Sequence, residues 1–552
     1  MRSRRTMIIV SLYLVAAAGL FLYSVNFGSP FQGLPVSSAR EQSREQGEST
    51  ANGFGVSASH HLAVDVGMEI LRQGGNAVDA AVAVGYALGV VEPYASGIGG
   101  GGVALVYPSG GSEPVVFDYR ERASLSGKVP ASYAGVPGFV LGMEEMHREY
   151  GSLPLSMLIE PSIKLAAEGF AIDGYLAERL RTNQYRMPVH ELRHFYPEGE
   201  PLKTGERLVQ TALAETLRTI RNQGAAAFYR GTMADQVAGR VPGLEPADFA
   251  LYRVEQKEPL TVSIGDYHVY STPAPYSGAT LLQILKLAQL TGVSEATNRV
   301  DFIHTMADII ETSYQERAKT IGDPAFSEID EKALVSDARM QELLAGLAES
   351  GLPGIVFPDP VLEEDKDGNT THYVIVDSEG NMVSSTHSIS QFFGSAIYVD
   401  GFFMNNQLRN FSQSAASPNR VEAGKAPRSY MSPVIIAKDG RPFIGLGTPG
   451  GNWIPMVLGQ VLIDFMAGRS LGDAVEKPRF YVYDNNVIFF EEEISGEEKE
   501  ALRERGYSVF VLDEPVATAV QGMVLDLERN RLYGVSEYYR AGKWSAEQIS
   551  WD

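Results

Sequence analysis

The chain has 552 residues, 44% of them hydrophobic, which is enough for a sizeable core and for more than one domain. Its 68 acidic residues outnumber 46 basic ones, a formal charge of −22 spread along the chain, and this argues against a nucleic-acid partner, whose binding requires a basic face. The absence of cysteine excludes disulfides, thiolate metal sites, cysteine nucleophiles and lipoprotein attachment.

At the N-terminus Arg2, Arg4 and Arg5 precede 19 uncharged, mostly apolar residues, Met7 to Val25, about the length needed to cross a bilayer. Residues 1–25 therefore read as a membrane anchor with its positive end in the cytoplasm. A cleaved signal peptide is the alternative; against it, the small residues Ala16 to Gly19 lie inside the run and not after it. Either reading puts the body of the protein outside the cytoplasm, at the cell membrane or secreted. Residues 26–52, rich in Ser, Gly, Gln and Glu, lack a sustained apolar period and read as a linker.

From residue 60 to 89 the apolar pattern is helical, and Gly74-Gly75-Asn76 divides it into two helices. Four later segments each consist of a β run, a Gly-containing turn or turn-forming polar stretch and a second β run, the signature of a hairpin: residues 103–118, 373–388, 434–447 and 523–535. Four hairpins imply stacked antiparallel sheets, and helical stretches at 280–290, 300–319 and 455–466 are placed to cover the sheet faces. The expected fold class is α+β with layered sheets.

Several motifs lose their functional reading in context. Gly97 to Gly102 satisfies GxGxxG, but a helix precedes it and a strand follows, the reverse of a dinucleotide site, so close backbone packing or a ligand-facing turn is expected. The nine histidines show no metal-binding spacing such as HExxH; His60, His61 and His147 are expected on helix surfaces or ends. Glu491, Glu492, Glu493, Glu497 and Glu498 read as a solvated face. No GxSxG elbow is present.

Residues 365–369 form a polar, turn-forming stretch that runs straight into the β run at 373–377, with Thr370, Thr371 and His372 at the junction. A threonine hydroxyl within a chain is a poor nucleophile. If the peptide bond before it is cut, the same residue gains an α-amino group of pKa about 7.7–8.0, able to take the hydroxyl proton and return it to a leaving amine. A threonine opening a strand is also an ordinary β-former.

The wider set of motifs resembles the γ-glutamyltransferase, or glutathione hydrolase proenzyme, family from about residue 53 to the C-terminus. It includes Gly75-Asn-Ala-Val-Asp-Ala-Ala-Val-Ala83, Gly99-Gly-Gly-Gly102, Phe117-Asp-Tyr-Arg-Glu121, Gly135-Val-Pro-Gly138, Thr370-Thr-His-Tyr373, Asn405-Asn-Gln407, Met431-Ser-Pro433 and Thr448-Pro-Gly-Gly451. The resemblance implies an N-terminal-nucleophile hydrolase fold, two antiparallel sheets between helical layers. It implies self-cleavage at Asn369-Thr370, giving a large fragment (residues 53–369 of the folded body) and a small one (370–552) that stay together as a heterodimer. It further implies Thr370 as nucleophile, Ser388 as the hydroxyl that orients it, Gly450 and Gly451 as oxyanion donors, and Arg120 and Ser429 as holders of the substrate α-carboxylate. The acyl enzyme then passes its glutamyl group to water or to an amino acid, with no metal or organic cofactor.

The chain departs from the family where a free α-amino group would be held. Arg409-Asn410 replaces an acidic pair, in a segment that begins Asn405-Asn-Gln407, Ser390 replaces an Asn or Glu, and Pro427-Arg-Ser-Tyr-Met-Ser-Pro433 replaces a PLSSMSP-type segment. An ammonium against Arg409 with no carboxylate would bind poorly, whereas a residue inside a γ-linked polymer has its amine acylated. These changes resemble the CapD-like capsule branch and point to poly-γ-glutamate as donor, with peptidoglycan amines among the acceptors. Arg428 is expected either to hold a further polymer carboxylate, with Arg409, or to cap a loop. A glutathione hydrolase, a same-fold acylase and a non-enzymatic surface relic remain as alternatives.

Overall fold

The computed structural model describes residues 50–548, apart from 112, 294–297, 350–368, 484–485, 513–517 and 538–539. The expected anchor, most of the linker and residues 365–368 of the polar stretch lie outside the described residues. Among those described, no helix is long and apolar enough to cross a membrane.

The four expected hairpins are present. Gly101–Tyr107 pairs with Val115–Tyr119, Thr370–Val376 with Met382–Ser388, Val434–Lys438 with Arg441–Gly447, and Gln521–Asp526 with Arg531–Ser536. They are distributed over two antiparallel sheets. The first runs, in spatial order, Lys543–Gln548, Gly53–Ala58, Thr370–Val376, Met382–Ser388, Gly101–Tyr107, Val115–Tyr119 and Glu255–Lys257; the second runs Arg531–Ser536, Gln521–Asp526, Arg441–Gly447, Val434–Lys438, Tyr267–Ser271 and Leu260–Ile264.

Strand residues alternate between two hydrophobic cores, as a period of two requires. Tyr373, Ile375 and Val383 face a core shared with the helices His61–Arg72 and Ala77–Val91, while Val374, Val376 and Met382 meet Ile435, Met523 and Leu525 of the second sheet. The far face of the second sheet packs on Gly278–Thr291, Arg299–Thr320 and Ile454–Met466. The result is four layers, helix–sheet–sheet–helix. Both sheets are covered on both faces; Val434–Lys438 is apolar nearly throughout, whereas Thr370–Val376 opens on Thr-Thr-His and Met382–Ser388 carries the polar run Ser384 to Ser388, whose buried side chains bond largely to one another and to neighbouring strands.

The helix break falls where expected: Asn76 caps the second helix through a capping box with Asp79. His60 is the N-cap of the first helix and is buried, its Nδ1 accepting from the Leu62 N–H at 3.1 Å and its Nε2 lying 3.4 Å from Asp173. The glycines at 99–102 are a close-packing device, since a Cβ on Gly100 would stand 2.3 Å from the Ser388 carbonyl oxygen. Glu491 departs from the solvated reading. Its side chain is 5% exposed and is paired at 3.3 Å with the buried Arg479, because the adjoining strand Phe480–Tyr483 folds back over it.

The two sheets approach closely where alternate glycines of Arg441–Gly447 face the strand Thr370–Val376. A Cβ on Gly445 would sit 2.5 Å from Val374 Cγ1, and one on Gly447 2.2 Å from the His372 ring. Overpacking of this kind costs about 1–3 kcal/mol. Gly447→Ala should therefore lower the chemical denaturation midpoint, whereas Gly346→Ala, in an exposed helix position with nothing within 4 Å, should be neutral or slightly stabilising.

Candidate active site

Thr370 opens its strand and is 5% exposed. Its register partner is Ser388, the last residue of the neighbouring strand, so the two side chains share a face. That face also carries His372 and Val374 and is turned to the second sheet. The hydroxyls form a short relay: Thr370 Oγ1 donates to Ser388 Oγ at 3.4 Å, and Ser388 Oγ donates at 3.1 Å to the carbonyl oxygen of Asn369, the residue whose peptide bond precedes Thr370. The Ser390 N–H donates to the same Ser388 oxygen at 2.8 Å. Arg540, from the connection between Arg531–Ser536 of the second sheet and Lys543–Gln548 of the first, donates to the Thr370 carbonyl at 2.6 Å.

The segment after Ser388 is held in uncommon backbone conformations. Ser390, Phe393 and Ala396 all have positive φ, of 79°, 59° and 60°. Such conformations persist only when surrounding contacts impose them. Here Arg186 binds the carbonyls of Phe392 and Gly394, the Phe393 N–H donates to Tyr94, and Gln391 is bonded by Asn406 and by Arg409 at 2.6 Å each.

Gly450 and Gly451 follow the second-sheet strand that ends at Gly447, with φ of 140° and 57°, left-handed values that favour glycine. The Tyr314 hydroxyl binds the Asn452 carbonyl, and Thr448 Oγ1 accepts from the Ala519 N–H at 3.2 Å, so this turn is fixed from two sides. His372 against Gly447 sets its distance from the strand of Thr370.

Arg120 is buried and bonded all round. It donates to Pro427 and Arg428 carbonyls at 3.1 and 3.3 Å, to Glu121 at 3.0 Å and to Gln407 Oε1 at 3.0 Å; Asn410 also donates to Gln407 Oε1 at 3.0 Å. Ser429 lies at the end of this cluster, its carbonyl held by Ser277 Oγ at 2.7 Å and by Arg317 at 3.2 Å. Arg120, Gln407, Asn410 and the 427–429 backbone are thus brought together. The Arg428 side chain turns away to carbonyls of Arg317, Ala318 and Ile321 at 3.2–3.3 Å, the C-terminal end of the long helix. Of the two readings left open for Arg428, these bonds fit the cap.

Burial overrides the neighbouring cation at Glu121, pushing its carboxyl up to about 7 although Arg120 draws it down. Burial also lowers His372 and His387 to about 3, so both imidazoles are neutral at ordinary pH. Among the described residues no group of three or more His, Asp or Glu could hold a metal ion. Sequence reasoning missed Arg540 and the packing role of His372, each separated from its partner by many residues with no local signal.

Two stacked antiparallel sheets between helical layers, with a threonine hydroxyl opening a central strand, are the architecture of the N-terminal-nucleophile hydrolases. The family model described as "Gamma-glutamyltranspeptidase" matches residues 63–547, and the chain belongs to that family of enzymes. It is 39% identical to the "Capsule biosynthesis protein CapD proenzyme" of Bacillus anthracis over 90% of this chain and 91% of that one. It is 34% identical to the "Glutathione hydrolase proenzyme" of Bacillus subtilis (strain 168), covering 88% and 90% respectively. Among solved structures, the cephalosporin acylase from Bacillus halodurans superposes with a TM-score of 0.81 at 25% identity, covering 94% of this chain and 99% of that one.

A carboxyl whose folded value lies above its unfolded 4.5 holds a proton that the unfolded chain releases, so its contribution to stability is present below about 4.5 and lost as pH rises through 7. Glu121→Gln should remove this loss, of order 1–3 kcal/mol. Denaturation midpoints at pH 5 and pH 8 should differ less in the variant than in the wild type.

Proposed function

We propose that the chain cleaves itself between Asn369 and Thr370 and then acts as a γ-glutamyl hydrolase and transferase whose donor is poly-γ-glutamate. The observation that carries this reading is the relay Thr370–Ser388–Asn369 carbonyl. In the uncut chain Thr370 Oγ1 attacks the Asn369 carbonyl carbon as its proton leaves toward Ser388, and the Ser388 hydroxyl supports the oxygen on which negative charge develops. Collapse of that adduct breaks the C–N bond, protonates the nitrogen and leaves an ester on Thr370 Oγ1. Water then releases Asn369 as a carboxylate and Thr370 with a free hydroxyl and a free amine.

The fragments have no route apart. The first sheet interleaves Gly53–Ala58 of the large fragment between Lys543–Gln548 and Thr370–Val376 of the small one, so separation would unzip the central sheet.

In turnover the Thr370 amine takes the hydroxyl proton, Thr370 Oγ1 attacks the γ-glutamyl carbonyl, and the amine returns the proton to the leaving nitrogen. Gly450 and Gly451 N–H groups support the oxyanion. Arg120, with Gln407, Asn410 and Ser429 beside it, takes the donor α-carboxylate, a pairing suited to a planar, permanently charged group. The acyl group then passes to water, an amino acid or a peptidoglycan amine. No cofactor takes part. Residues 1–25 hold the enzyme at the outer face of the membrane.

The donor is read from what a free ammonium would meet. Arg409 and Ser390 stand where acidic or amide side chains would receive it, and an unpaired buried cation is costly. A residue within the polymer presents an amide there. The similarity to the capsule-biosynthesis proenzyme supports the same reading. The similarity to a cephalosporin acylase favours an acylase as the second reading, but the intact Arg120 cluster would then have no α-carboxylate to bind.

The ratio of kcat/KM for poly-γ-glutamate to that for glutathione tests the donor. A value well above one is expected; a strong preference for glutathione would remove the polymer reading, and cleavage of glutaryl amides above both would favour the acylase. Loss of one oxyanion donor costs about 10²–10³-fold, so Ser388→Ala should slow self-cleavage by about that factor while the precursor still folds.

A further inference from the structure

Arg179 lies on the helix Gly174–Asn183, whose N-terminus is capped by Asp173. Its guanidinium carbon stands 4.6 Å from the centroid of the Tyr175 ring and 4.6 Å from that of Phe392, two rings that themselves meet edge to face at 6.4 Å, so the cation rests in the corner they form. Among the described residues no carboxylate lies within salt-bridge distance of it, although the chain carries 68 acidic residues against 46 basic ones. The neighbouring Glu178 is taken by Arg181 at 2.6 Å.

This cation is linked to the site through its two rings. Phe392 belongs to the strained segment that follows Ser388, and Arg186 fixes that segment by its carbonyls. The other ring, Tyr175, also carries Arg540 at 5.3 Å, and Arg540 donates to the Thr370 carbonyl. Tyr175 and Arg540 thus stand between Arg179 and the Thr370 carbonyl, and Arg179 is half-buried and already ordered by its two rings. Ordering a long side chain before binding removes much of the entropy cost of using it, and a stacked guanidinium keeps its edge donors for a carboxylate.

We propose that Arg179 is a second carboxylate-binding position, which receives an α-carboxylate of a neighbouring residue of a polyanionic donor. The inference rests on the polymer reading given above, because a donor with a single glutamyl residue has no further γ-glutamyl carboxylate to place there. It also supplies local positive charge against a protein field that would otherwise repel a polyanion.

Arg179→Gln should raise KM for poly-γ-glutamate by about tenfold, the effect of losing one charge-assisted contact, with KM for a γ-glutamyl anilide changed less than twofold. Arg179→Lys, which keeps the charge but loses the flat stack, should fall between. Equal losses on both substrates would make Arg179 a clamp for the 390–396 segment and overturn the proposal, as would an unchanged polymer KM. A wild type that turns over the anilide but not the polymer would overturn the donor reading and this inference with it; a wild type that cleaves the polymer alongside a normal Arg179→Gln would overturn this inference alone.

Discussion

The close approach of the second sheet to the strand of Thr370 sets the geometry of everything else. Gly445 and Gly447 carry no side chain where Val374 and His372 press against them, and any Cβ at either position would collide. Gly450 and Gly451 follow that second-sheet strand three and four residues beyond Gly447. A central sheet contact, not a loop, thus fixes the distance between the strand of Thr370 and the second-sheet strand that ends at Gly447. His372 is buried and neutral, a spacer of fixed shape between the sheets. Its place in a Thr-Thr-His sequence follows from packing without a proton to transfer.

Around this contact the structure concentrates strain on one side and charge on the other. The positive-φ residues after Ser388 keep the Ser390 N–H aimed at the Ser388 oxygen, which frees the Ser388 hydroxyl to donate to the Asn369 carbonyl. The arginines near the site are each fixed by a different means. Arg120 is held by carbonyls, Gln407 and Glu121, Arg428 by the end of a helix, and Arg179 by two rings.

Much of the fold was legible because local chemistry and periodicity agree. Gly380, Asp439 with Gly440, and Asn530 take the positive φ that their hairpin turns require, and apolar runs flank each of them. The hairpin of Leu260–Ile264 with Tyr267–Ser271 was missed although Leu-Thr-Val-Ser-Ile alternates and Gly265-Asp266 makes its turn, so that signal was available. The small sheet in which Val487–Phe490 pairs in parallel with Ser508–Val511 was not legible, since a parallel pair depends on the crossover helix Gly496–Glu504 and not on a local turn. Glu491 was misread because its partner Arg479 lies across a hairpin. In the site, Thr370 and Ser388 could be named from motif resemblance, whereas Arg540 reaches Thr370 from 170 residues away and nothing near it marks that role.

In the proposed mechanism the residue opening the strand becomes a chain end and then the nucleophile. Intact-mass spectrometry of the purified protein, before and after addition of a γ-glutamyl donor, tests it most directly. Two masses are expected, the smaller beginning at Thr370, with a glutamyl adduct that maps to Thr370 when the reaction is quenched early. A single uncut chain that still turns over donor, or a cut and adduct at another residue, would contradict it.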